Sequence, residues 1–154
     1  MPPSLQALLL FVHLLAAVVW VGGMVFAHFV MRPAAIEVLE PPRRLPLLAA
    51  ALGRFFRLVT AAVVAIVASG LALMGHVGFA RAPLGWHVML ATGLVMAGVF
   101  VYLYAALWPR LREAVAQAQW PVAAAALDKI RRLVFFNLCL GVATLAAAVS
   151  VRAG

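Results

Sequence analysis

The sequence predicts an all-α protein, a four-helix transmembrane bundle. Three observations predict it. First, 68% of the 154 residues are hydrophobic and only 10% are charged, against roughly 25% charged in a soluble domain. Second, four apolar runs, Leu5–Met31, Leu58–Ala80, Ala82–Trp108 and Leu133–Val151, each reach the roughly 18 residues that call for lipid. Third, ten of the twelve Lys and Arg residues fall in two alternate connections. Arg32, Arg43, Arg44, Arg54 and Arg57 lie between runs one and two, and Arg110, Arg112, Lys129, Arg131 and Arg132 between runs three and four. Positive-inside counting places both basic connections in the cytoplasm. Both termini and the turn around Arg81 then lie outside, giving an N-out/C-out bundle in a bacterial inner membrane. The four runs use most of the chain, so it reads as a single integral membrane domain, residues 1–154.

Helix one is expected from about Leu5 to Met31, with Pro33 as its stop. The opening Met-Pro-Pro-Ser lacks the positive region of a signal peptide, and the run is too long for a signal h-region, so it reads as a retained helix. Pro33–Pro46 holds four prolines and no periodic apolar face, which reads as a cytoplasmic loop. Pro46 suits the first turn of helix two, expected to begin near Leu45, with an embedded part from Leu58 and a span reaching residue 80. Gly75-His76-Val77-Gly78 ends it, and Gly78–Gly85, with Pro83, is the outer turn. Helix three covers residues 84–108 as a span, with Trp86 and Trp108 as an aromatic belt at opposite interfaces. Arg110–Gln119 reads as a short amphipathic cytoplasmic helix. Pro121 opens a helix that continues through Lys129-Ile130-Arg131-Arg132 into the fourth span, residues 133–151.

The net charge of +8 is a pattern also found in nucleic-acid binders. Here the cations sit where membrane topology needs them, so nucleic acid is excluded as a partner and the lipid bilayer takes its place. No Ser-His-Asp set, P-loop or Gly-rich dinucleotide motif is present, which leaves hydrolase and ATPase readings without support. The acids Glu37, Glu40, Glu113 and Asp128 all lie in the basic connections. A proton-coupled pump usually needs a carboxylate inside the membrane. The lone Cys139 reads as a small apolar filler within the fourth run.

Ionisable groups at membrane depth are expensive and mark function by default. All four histidines lie in, or within about one turn of, apolar runs. At 100° per residue, Trp20, Met24, His28 and Met31 fall within about 60° of the His13 direction on helix one, a stripe expected to face the bundle. Trp20, Met24 and Met31 fit core packing there, and His13, embedded well away from the headgroups, fits a functional role. His76 and His87 flank the outer turn and can converge with His13 on one outer site. Three imidazoles suit copper, zinc or iron, and two at one height can hold haem axially. His28 lies about 22 Å along the axis from His13, so it belongs to a second site, a transfer path or packing. Ser69 shares the His76 face, and Tyr102 lies about 60° from the His87 direction. With Trp20 and Met24, either can support a ligand set from behind. Asn137 and Thr144 share a face of helix four and suit hydrogen bonds between helices. Arg81 and Arg152 are the only outer cations, suited to solvent or to haem propionates.

The stretch Val12-His13-Leu14-Leu15-Ala16-Ala17-Val18-Val19-Trp20-Val21-Gly22-Gly23-Met24 resembles helix one of the copper-resistance D (CopD-like) membrane family. Arg131-Arg132-Leu133 and Asn137-Leu138-Cys139-Leu140-Gly141 resemble that family's last helix. A more distant likeness is to the HemJ-like protoporphyrinogen oxidase family, through His13, Trp20 and Gly23. That likeness departs after Gly23, where the Pro-Arg pair and the following histidine are missing. The first resemblance implies copper transport or resistance, for which His13, His76, His87 and His28 are the candidate metal ligands and a periplasmic metal carrier is the expected partner. The second implies haem b and electron transfer to a quinone. A cofactor-free assembly subunit stands beside them as a third class, and a second copy of the chain is an expected partner.

Overall fold

The computed structural model describes residues 1–150, with side chains through residue 148. Val151 as the end of the fourth run, Arg152 and the outward C-terminus lie outside the described residues. Four long helices account for nearly everything described: α1, Pro3–Val38; α2, Pro41–Val77; α3, Leu84–Ala116; and α4, Trp120–Ser150. Each is long and apolar enough to cross a membrane. They run up and down, with α1 packed mainly on α2 and α3 on α4. The N-terminal ends of α1 and α3 therefore share one end of the bundle with the turn after α2. The two arginine-rich connections share the other.

The helices outrun the apolar runs, and prolines explain how. Pro33 does not stop α1, because a π turn at Ala27–Met31 precedes it. Pro109 in α3 is preceded in the same way by a π turn at Leu103–Leu107. In a regular helix the proline ring meets the carbonyl four residues back and offers no N–H. Here Arg32 N–H reaches back five residues to Ala27 O, and Trp108 N–H to Leu103 O. The wider turn makes room for the ring, and the helix continues. The expected short amphipathic helix is present as Trp108–Ala116, joined without a break to the span through the π turn at Leu103–Leu107.

The expected Pro33–Pro46 loop shrinks to Leu39 and Glu40 for a related reason. Pro41 and Pro42 occupy the first helical positions of α2, where a missing N–H costs nothing. Glu40 O takes Arg43 N–H at 3.0 Å and Arg44 N–H at 2.9 Å. At the opposite end Gly78 closes α2 with φ +88°, a backbone conformation that glycine adopts without strain. The turn to α3 is a single 3-10 turn, Phe79–Arg81.

The core is built from one face of each helix, including Trp20, Met24, Phe56, Val59, Met96, Phe100, Leu103 and Leu138. Leu8, Phe11, Val18, Leu58, Val64, Leu84 and Val101 are exposed on the outside. A surface this apolar requires hydrocarbon around it, and helices satisfy their own backbone groups there. Cys139 also lies on the exposed side, so it contacts lipid instead of filling the core. Trp108, expected in the interfacial belt, turns inward: its indole Nε1–H donates to Ala49 O at 3.3 Å. Gly53 permits this, since a Cβ there would stand 2.7 Å from the indole ring.

Candidate functional site

The stripe on α1 faces the bundle. Trp20 is 4% and Met24 2% exposed, while His13, His28 and Met31 are half-buried. Burial follows from amphipathic logic inverted for lipid: the polar and polarizable side chains turn inward, the Leu, Val and Phe side chains outward.

His13 is the most firmly held of the four imidazoles. Its Nδ1 lies 2.9 Å from Ser69 Oγ and 3.1 Å from Ile66 O, both on α2. A carbonyl oxygen can only accept, so Nδ1 carries the proton. The single Ser69 hydroxyl proton is committed to Ala65 O at 2.5 Å, and Ser69 Oγ is left to accept from His13. In the neutral ring Nε2 then keeps its lone pair, the state in which imidazole binds metal. Gly70 lets the ring lie against α2, since a Cβ at that position would stand 3.3 Å from His13 Cε1. Ser69 is 2% exposed. Its partner is therefore His13, and it sits about 10 Å along α2 from His76.

The other histidines have separate surroundings. His76 is exposed at the end of α2, with Nδ1 3.4 Å from the Met1 amino nitrogen. His87 is exposed in the first turn of α3, with Nδ1 3.3 Å from Pro83 O. Both lie at the same end of the bundle as His13, yet the structure does not gather the three. Among the described residues no three His, Cys, Asp or Glu side chains form a group that could hold a metal ion. Tyr102 is exposed, with Lys129 Nζ 5.9 Å from its ring centroid. It lies about 22 Å down α3 from His87, because matching faces on a helix do not imply matching heights. His28 sits at the arginine-rich end, stacked on Phe135 at 5.0 Å and edge-on to Phe29 at 4.7 Å.

Between the two ends the core carries soft and polar atoms that sequence reasoning only partly singled out. Met96 shares the buried cluster with Trp20 and Met24. Asn137, 1% exposed, donates through Nδ2 to Met96 O at 3.1 Å. Its Oδ1 is buried and has no hydrogen-bond partner among the described residues. Thr144 Oγ1 meets Thr92 Oγ1 at 2.9 Å. Asn137 and Thr144 thus both join α4 to α3, as their shared face suggested. Met96 was not singled out, although a methionine facing a polar position on the neighbouring helix was the available signal. Thioether sulfur and imidazole together suit monovalent copper, and an amide oxygen suits a harder or partly hydrated cation.

The sequence matches the family described as Copper resistance protein D over residues 49–151. The match begins inside α2 and takes in Ser69, His76, His87 and Asn137. It leaves out α1, including His13. No curated protein and no solved structure matches the chain.

Proposed function

The chain belongs to the copper resistance protein D family, and on that premise we propose that copper is its substrate, held at His13 and passed through the bundle. The observation that carries this reading is the anchoring of His13. Nδ1 is committed to Ile66 O and Ser69 Oγ, which leaves Nε2 as a fixed, neutral donor inside an otherwise uncharged interior. The Met24 and Met96 thioethers and Asn137 Oδ1, unpartnered among the described residues, supply the next soft and polar atoms, and His28 and Met31 lie beyond them. His76 and His87 stand at the mouth on the outer turn Gly75–Gly85, placed to pass an ion inward from a periplasmic metal carrier. The arginine distribution supports an outward mouth and a cytoplasmic arginine-rich end, in a bacterial inner membrane. The absence of Asp and Glu from the apolar runs keeps the ion from being trapped by a strong charge.

A visible spectrum and metal analysis of the purified protein test this directly. Colourless protein that takes up copper, and loses it in His13→Ala, supports the reading. A Soret band that disappears in His13→Ala would replace copper with haem b and bring in the quinone-linked alternative. Neither cofactor, with His13→Ala harmless in cells under copper stress, would leave the cofactor-free assembly subunit.

A further inference from the structure

The arginine-rich end holds a cavity that the copper reading does not use. A cavity of about 180 Å³ lies between α1, α2 and α4, walled by apolar side chains such as Leu52, Phe55 and Val134, with His28, Arg32 and Arg131 among its lining. A smaller one of about 90 Å³ adjoins it and shares Arg32, with Arg44 and Asp128 on its far side. The π turn at Ala27–Met31 swings Arg32 to the point where the two meet.

The charges there are unbalanced. Asp128 is already engaged by Arg131 at 2.7 Å and by Arg132 at 2.6 Å. Among the described residues Arg44 reaches only Leu39 O, at 3.5 Å. Arg32 is half-buried and has no hydrogen-bonded or ion-paired partner among the described residues. A guanidinium held at a membrane edge without a partner is costly unless an anion meets it. Three guanidiniums, Arg32, Arg44 and Arg131, therefore line the two cavities against one carboxylate, above a wall that continues into the membrane-spanning parts of three helices.

We propose that this cavity is a binding site for one anionic phospholipid, its phosphate on Arg32 and Arg131 and an acyl chain along Leu52, Phe55 and Val134. Two features select that occupant. A soluble anion would use the arginines but leave the apolar wall wet, and a neutral lipid would cover the wall but leave Arg32 unpaired. A basic rim over an apolar groove between helices meets both needs in one molecule. Asp128 does not oppose it: Arg131 holds its Oδ1 through Nε and Nη2 and Arg132 holds its Oδ2, which leaves Arg131 Nη1 for the phosphate.

The test is lipid retention by the full-length protein in neutral detergent, followed by native mass spectrometry. Phosphatidylglycerol and phosphatidylcholine with identical chains are offered in competition, with and without inorganic phosphate. Wild type should retain phosphatidylglycerol with roughly tenfold preference. Arg32→Gln should bring the two lipids close to parity, and Arg110→Gln, at an exposed arginine of the same end, should change nothing. A phosphatidylglycerol with a photoreactive acyl chain reads the site without any substitution and should label residues 48–55 and 130–134. Equal retention of both lipids by wild type overturns the proposal. So does preference that survives Arg32→Gln combined with Arg131→Gln, or labelling confined to other faces of the helices. Loss of lipid to millimolar inorganic phosphate would assign the cavity to a soluble anion instead.

Discussion

His13 and His28 lie on one face of one helix, yet the two ends of the bundle treat them in opposite ways. At the arginine-poor end His13 is clamped by Ser69 Oγ and Ile66 O. Its tautomer and orientation follow from a neighbouring helix. At the arginine-rich end His28 is held by the rings of Phe29 and Phe135 and makes no hydrogen bond among the described residues. Ring contacts fix a plane without choosing which nitrogen carries the proton. The lesson is that an imidazole becomes a ligand through what holds its other nitrogen, and residue type and depth alone do not decide it.

The comparison breaks most sharply at the ligand itself. His13→Ala should abolish copper retention by the purified protein, while His28→Ala leaves it unchanged, as read by metal analysis after gel filtration. Copper lost equally in both variants would erase the distinction between the ends. The next effect is smaller. Ser69→Ala removes one of the two acceptors for His13 Nδ1–H and should weaken copper binding about tenfold, measured by competition with a chelator of known affinity. An unchanged affinity would mean that Ile66 O alone sets the ring.

Asn137 sits between the two ends and sharpens the comparison differently. Asn137→Leu removes Oδ1 with its amide, so occupancy at His13 should persist while transfer across oriented vesicles slows several-fold. Transfer at the wild-type rate would take Asn137 off the route. The smallest effect belongs to His28. Loss of its two ring contacts in His28→Ala should cost about 1 kcal/mol of stability, seen in thermal unfolding, with copper affinity intact.

The spans were legible because apolar length is a strong signal and because arginines cluster in alternate connections. The helix ends were not. Pro33 and the proline-rich stretch to Pro46 look like breaks, and nothing local in Ala27–Met31 announces a π turn. The inward stripe on α1 was legible from its periodicity. The partner of His13 was not, since a helical wheel gives the direction of Ser69 without saying which neighbouring helix lies there. Tyr102 was mislaid for the complementary reason: the wheel gave its angle and ignored its height. His28 against Phe135 joins two helices far apart in sequence, a pairing that periodicity cannot supply.

The π turns carry a further consequence. Each behaves as a one-residue insertion, so the helix beyond it is out of phase with the helix before it by about 100°. The arginine-bearing turn of α1 is therefore set on its own angular register, independent of the His13 stripe, and the same holds for the segment after Leu107 in α3. Deleting a single residue from Ala27–Met31 would remove the wide turn, set the Pro33 ring against the carbonyl four residues back, and turn Arg32 off its present bearing, leaving the His13 half where it is. One end of the molecule can thus be re-indexed by a change of chain length without redrawing the other.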